Sequence, residues 1–215
     1  KVRKLLTSLV SLTMEFTKNL REVSDELEVT EEEMKGLPED YKARLRRSKN
    51  GGYLVTMNLP DYNTFMENAE NEDVRRRLCA LFNNRCARKN TRLLEKALVM
   101  RRELANLLGY STYADYVLAE RMAGSKANVD SFLTRLQRKL AGKARRELRA
   151  MQKIKGGDAR LVGAWETPYY FNQLKKNSYS VDHEKIKEYF PLEKILAGMF
   201  GEFEPVLGVS FVKAK

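Results

Sequence analysis

Asn128-Val129-Asp130-Ser131-Phe132-Leu133-Thr134-Arg135-Leu136-Gln137-Arg138-Lys139-Leu140, continued to Lys155, sets Val129, Phe132, Leu133, Leu136, Leu140, Ala144, Leu148 and Met151 mostly three or four residues apart. That is the period of an α-helix with one apolar face. Asn128 is suited to cap its start, and Gly156-Gly157 stops it. A helix of about seven turns dominates the chain and predicts a mainly α fold.

Upstream the same period recurs. Val2, Leu5, Leu6, Leu9, Leu12, Phe16, Leu20, Val23 and Leu27 predict a first amphipathic helix over 2–27. Thr30 with Glu33 forms a capping box for a short second helix, which Gly36 ends, and Pro38 opens a third. Asn50-Gly51-Gly52 marks a turn before one strand, Tyr53 to Met57, closed by Pro60. Asp61 caps a helix to Asn68, and Asn71 caps one to Arg88. Asn90 caps another, with its stripe from Leu93 to Leu108 and its stop at Gly109. Ser111 opens a helix carrying Tyr113, Tyr116, Val117 and Met122.

Downstream, Thr167-Pro168 starts a helix, Asp182 caps a short one, and Pro191 opens one ending near Gly208. Val209, Phe211 and Lys213 alternate like the start of a strand. No fixed-period repeat and no Pro-, Gly- or Ser-rich linker divides the chain. Residues 1–215 therefore read as a single helical unit with one short β element.

With 43% hydrophobic and 32% charged residues, the 215-residue chain has a globular composition. No stretch approaches the ~20 apolar residues of a membrane span. Lys1 stands where Met would begin a chain, no signal or transit segment is evident, and both ends read as cut from a longer polypeptide. Two cysteines, Cys79 and Cys86, lie on one predicted helix. Seven residues of helix hold them ~10 Å apart, too far for a disulfide. Free thiols favour a reducing compartment, so the expectation is cytoplasmic.

The net charge of +11 is concentrated between Lys126 and Lys155, where ten basic residues face only Asp130 and Glu147. Such a run is a solvated helix face or, as an alternative function, a surface for RNA or an acidic partner. No RNP-type or helix-turn-helix signature supports a nucleic-acid partner.

His183 is the one histidine, and His183-Glu184-Lys185-Ile186-Lys187 puts lysine where a zincin helix needs its second imidazole. Neither glycine pair has phosphate-loop spacing, and no serine sits in a nucleophile elbow. Catalytic, cofactor-binding and metal-binding residues are accordingly expected to number none. The aromatic group Trp165, Tyr169, Tyr170, Phe171, Tyr179, Tyr189 and Phe190 reads as helix packing, with a peptide-contacting wall as the functional alternative.

An ordered series of segments carries a resemblance. Ala164-Trp165-Glu166-Thr167-Pro168-Tyr169-Tyr170, Tyr179-Ser180-Val181-Asp182, Glu188-Tyr189-Phe190-Pro191-Leu192-Glu193 and Leu207-Gly208-Val209-Ser210-Phe211 follow one another. Before them stand Phe16 to Leu20, Gly36 to Asp40, Asp61-Tyr62, Asn83 to Leu94, and Leu107 to Tyr110 with Tyr113-Ala114-Asp115. Together they resemble the thimet oligopeptidase and neurolysin family of metallopeptidases over nearly the whole chain.

The resemblance implies a zinc-dependent endopeptidase of short peptides, cytoplasmic or organellar, whose helical ellipsoid is split by a deep channel. These residues would form the channel-wall half, and the Zn2+ site and C-terminal catalytic portion would lie beyond Lys215. The fragment alone is then expected to be inactive. Trp165-Glu166 departs from the family's usual Trp-Asp, and the 126–155 helix is more basic than its counterpart.

Overall fold

The computed structural model describes residues 1–157, 161–179 and 183–212. The fold is mainly α with one small sheet. The chain divides into two compact units, Lys1–Phe171 and Asn172–Lys215.

The first unit begins with α1 (Val2–Arg21). A three-stranded antiparallel sheet follows, formed by β1 (Glu26–Val29), β2 (Arg46–Arg47) and β3 (Tyr53–Thr56) in the order β1-β3-β2. Leu27 pairs with Val55, and Val29 with Tyr53. Only β3 was legible in advance. Leu27, expected as the last apolar residue of the first helix, lies in β1, because its spacing from Val23 fits either element and pairing with β3 decides. β2 is two residues long, too short to show a period.

Between β1 and β2, the reciprocal bonds of the Thr30 box are present: Thr30 N donates to Glu33 Oε2 at 3.0 Å, and Glu33 N to Thr30 Oγ1 at 3.3 Å. They open a single 3-10 turn, Glu32–Met34, that buries Met34. At Gly36 φ is +89°, and an added Cβ would stand 2.5 Å from the Asn68 carbonyl oxygen. Glycine there lets Lys35 O accept from Glu70 N at 2.9 Å, tying this turn to the end of α3.

Helices α2 (Glu39–Arg44), α3 (Leu59–Asn68) and α4 (Glu72–Asn83) cover the sheet. α3 starts at Leu59, before Asp61, with Pro60 in its first turn. The inward alternation of Tyr53 and Val55 meets Tyr41, Phe65, Met66, Val74 and Leu78 in one core. Phe65, Val55, Val74 and Leu78 are fully enclosed.

Asn71 caps α4 as expected, accepting from Asp73 N and Val74 N. The helix stops at Asn83, however, and does not continue to Arg88. The side-chain amides of Asn83 and Asn84 donate to Cys79 O and Ala80 O, competing with the next backbone turn. Cys86 then takes φ +55°, and α5 (Ala87–Leu107) begins. Cys79 and Cys86 consequently lie on opposite sides of a corner, both free. Asn90, expected as a cap, is buried inside α5 and bridges to α1: Asn19 Nδ2 donates to its Oδ1 at 2.8 Å, and its Nδ2 donates to Phe16 O at 3.2 Å. α1 packs along α5 through Leu5, Leu9 and Leu104.

α6 (Tyr113–Leu118) is capped by Thr112 and α7 (Lys126–Lys155) by Ser125, one and three residues from the expected caps. Met122 falls outside α6 and is fully exposed. Gly156 ends α7 in the left-handed region. The α7 stripe is largely uncovered: Phe132, Leu133, Leu136, Leu140 and Leu148 are all exposed, and burial begins at Met151 and Gln152.

α8 (Thr167–Tyr179) runs across the boundary between the units. The second unit adds α9 (His183–Lys187) and α10 (Leu192–Leu207). Gly208 turns the chain back, so that Phe211 N donates to Glu204 Oε1 at 2.8 Å and its ring lies 4.8 Å from that of Phe200. The described residues 209–212 therefore form no strand. Asp182 and Lys213, expected as a cap and a strand residue, lie outside the described residues. No described helix is long and apolar enough to cross a membrane.

Candidate functional site

The segment Gly163 to Tyr170 joins the ends of three helices in the first unit, and its local chemistry begins at Gly163. The Gly163 carbonyl accepts from Glu166 N at 3.0 Å and from Thr167 N and Thr167 Oγ1, both at 3.1 Å. Gly163 N in turn donates to Glu166 Oε2 at 2.8 Å. This is the return half of a capping box, with glycine at the cap and Glu166 three residues on. Side-chain space matters as well: a Cβ on Gly163 would meet the Trp165 ring at 2.8 Å.

The same Glu166 oxygen accepts from Lys155 Nζ at 2.7 Å, and that ammonium also donates to Leu161 O at 2.9 Å. Glu166 is 1% exposed. Burial is the largest influence on its carboxyl and pushes the pKa up. The Gly163 amide and Lys155, with Arg75 behind them, overcome it and hold the group below the ordinary glutamate range. Its other oxygen, Oε1, is buried without a hydrogen-bond partner among the described residues.

Arg75 on α4 completes the cluster. It is 1% exposed, donates to the carbonyls of Ala69 and Glu70, and lies 4.3 Å from the centre of the Tyr169 ring. Burial lowers its pKa, and Tyr169, Tyr170, Glu166 and Glu72 oppose that. Trp165 packs on the sheet core, and its Nε1 donates to Glu72 Oε1 at 3.3 Å. Tyr169 and Tyr170 meet edge to face at 5.2 Å. Burial, then the Glu166 charge, raises the Tyr170 pKa.

The expected aromatic group is thus brought together only in part. Trp165, Tyr169 and Tyr170 belong to the packed cluster, whereas Tyr189 and Phe190 in the second unit are 82% and 61% exposed. Glu166, Lys155 and Arg75 were not singled out from sequence for this role. Glu166 three residues after a glycine was the available signal; Arg75 and Lys155 had none.

Chemically, the cluster fastens α4, α7 and α8 to one another. A cleft of about 690 Å³ lies elsewhere, between the end of α1 and the α4–α5 corner, and mixes Glu22 and Asp25 with Arg88 and Lys89. Among the described residues no three His, Cys, Asp or Glu side chains stand close enough to hold a metal ion.

Comparison with known proteins places this arrangement. The sequence profile of peptidase family M3 matches residues 65–215. Saccharolysin from Saccharomyces cerevisiae is 31% identical over 100% of this chain and 32% of its own length. The thimet-like oligopeptidase of Dictyostelium discoideum is 26% identical, over 99% of this chain and 34% of its own. Oligopeptidase A of Escherichia coli is 28% identical, over 99% and 34%. The chain spans about a third of the length of these relatives. With the profile matched from α3 through the Trp165 segment to the last residue, the chain belongs to peptidase family M3.

Proposed function

We propose that residues 1–215 are the non-catalytic, channel-wall portion of a zinc-dependent oligopeptidase acting on short peptides. In this reading they form one structural unit of a longer protein whose catalytic portion lies outside them, working in the cytoplasm or an organelle. The observation that carries it is the end-to-end similarity of this chain to one third of saccharolysin. The helix-rich architecture and the basic-to-acidic fastening of α4, α7 and α8 support a rigid wall rather than a reactive centre.

In this reading the zinc ligands belong to the remainder of the protein, not to these residues. Residues 1–215 contain one histidine, and no trio of metal-ligating side chains converges among those described. No step of hydrolysis is therefore assigned to them. Their part is to bound the space that a short peptide enters and to keep that boundary rigid.

The test is the reading frame beyond Lys215 together with two assays. The frame is expected to encode His-Glu-x-x-His. The full-length protein is expected to hydrolyse short peptides and to lose that activity to a chelator. The 215-residue chain is expected to hydrolyse none. A frame without the motif would defeat the proposal, as would stoichiometric Zn²⁺ retention by the 215 residues alone.

A further inference from the structure

We propose that the basic face of α7 is a docking surface for an acidic, Asp/Glu-rich polypeptide segment. Seven side chains define it: Arg135, Arg138, Lys139, Arg145, Arg146, Arg149 and Lys153, every one exposed. At 100° per residue they fall within an arc of about 120°, extending about 27 Å along the axis. The exposed apolar stripe begins at the edge of the arc with Phe132 and passes through Leu136 to Leu140 and Leu133 on the far side.

The helix's own acids do not neutralise this arc. Asp130 pairs with Lys126 and Glu147 with Lys143, both outside the seven, and Lys155 is taken by Glu166. None of the seven has an ion pair among the described residues.

The acid-rich stretch from Glu22 to Asp40 is not the natural counterpart in a second copy. Its Glu22, Glu26, Glu33 and Glu39 are engaged by Lys18, Arg46, Arg77 and Lys42. No acid among the described residues neutralises the arc, which leaves it open to an acidic segment.

The shape of the arc selects polypeptide over nucleic acid. A straight row of guanidinium groups repeating each turn matches carboxylates at every third or fourth residue of a second helix, and arginine holds carboxylates bidentately. Single-stranded nucleic acid would want several aromatic rings spaced among the cations, and α7 has one, Phe132, before the first of the seven at the edge of the arc. A duplex groove flanks an inserted helix with phosphates on both sides, whereas here the side opposite the cations is leucine.

The test measures binding of a labelled Glu-rich helical peptide to the full-length protein by fluorescence anisotropy. Single-stranded and hairpin RNAs of matched charge are measured beside it. The triple variant Arg138→Glu, Arg145→Glu, Arg149→Glu is expected to weaken peptide binding at least tenfold, and Arg→Gln at the same positions by about threefold. A control with the same charge change elsewhere, Lys4→Glu, Lys49→Glu, Lys89→Glu, is expected to stay within about twofold. Unchanged circular dichroism confirms folding, and hydrolysis of a short uncharged peptide is expected to be unaltered, which separates this surface from the peptidase reading. Equal loss in the control would reduce the effect to net charge and overturn the proposal. Tighter binding of either RNA than of the peptide would overturn it in favour of a nucleic-acid surface.

Discussion

Glu166 carries one charge into an environment that is 1% exposed, and the outcome depends on partners rather than on the carboxylate itself. Lys155 and the Gly163 amide converge on Oε2, so removing the charge strands a lysine whose side chain is only 15% exposed. Glu166→Gln is expected to destabilise the fold by about 3 kcal/mol, as for other broken buried pairs, read from urea unfolding at neutral pH. The pH dependence has a definite sign. Because the folded pKa is depressed, the carboxylate's contribution is complete above the ordinary glutamate range and is lost as pH falls through the lower folded value. The native chain should therefore lose stability on acidification more steeply than Glu166→Gln. Tyrosines act at the other end of the scale. Burial, aided by Cys79 beside it, pushes Tyr62 up to about 12, and burial with the Asp61 charge moves Tyr41 in the same direction. Their contribution holds below the ordinary tyrosine range and disappears as pH rises through the raised values. A spectrophotometric titration should show Tyr41 and Tyr62 among the last tyrosines to ionise, together with alkaline unfolding.

At the scale of elements, two junctions hold the first unit in register. The corner between α4 and α5 turns on Cys86, at φ +55°, whose Sγ donates to Asn19 O at 3.1 Å. A β-branched residue tolerates that backbone poorly, so Cys86→Val should cost about 2 kcal/mol, while Cys86→Gly should stay within about 1 kcal/mol of the native chain. The thermal midpoints of the two variants should separate accordingly. The second junction is Gly36, where the Asn68 carbonyl occupies the place of a Cβ. Gly36→Ala is expected to cost about 2–3 kcal/mol, from left-handed strain and steric contact with backbone that cannot yield. Gly36 was legible as the stop of the short second element, whereas Cys86 carries no such mark in the sequence. The Asn71 cap and the Thr30 box were legible because a polar residue and its partner lie within three positions of each other. The α4–α5 break was not, since the helical spacing of Val74, Leu78, Leu81, Phe82 and Arg85 runs through Asn83-Asn84, and the bend is fixed by the Asn83 and Asn84 amides and by bonds to α1 and to Met57 O.

For the whole molecule, the distribution of apolar surface is the informative quantity. Phe132, Leu133, Leu136 and Leu140 on α7 form a continuous exposed stripe, and Ile195, Met199 and Phe203 on α10 are exposed as well. On α7 a contiguous apolar stripe of this kind marks a contact face. The 215-residue chain should bind a hydrophobic dye such as ANS strongly. Replacing Phe132, Leu136 and Leu140 with serine should lower that signal by about half without changing helical content, because these side chains touch little of the first unit.

The periodicity of apolar residues was enough to establish helical character and the long α7, and Asn50-Gly51-Gly52 to mark the turn before β3, since each depends on residues a few positions apart. The order of short segments was enough to point to the peptidase family. Tertiary structure alone decided that Leu27 joins a strand, that Asn90 is a buried bridge rather than a cap, and that Glu166, Lys155 and Arg75 meet. Those outcomes rest on contacts between residues 11 to 91 positions apart, such as Lys155 with Glu166 and Glu166 with Arg75. Local spacing carries no information about which distant partner a buried charge or an ambiguous leucine will find.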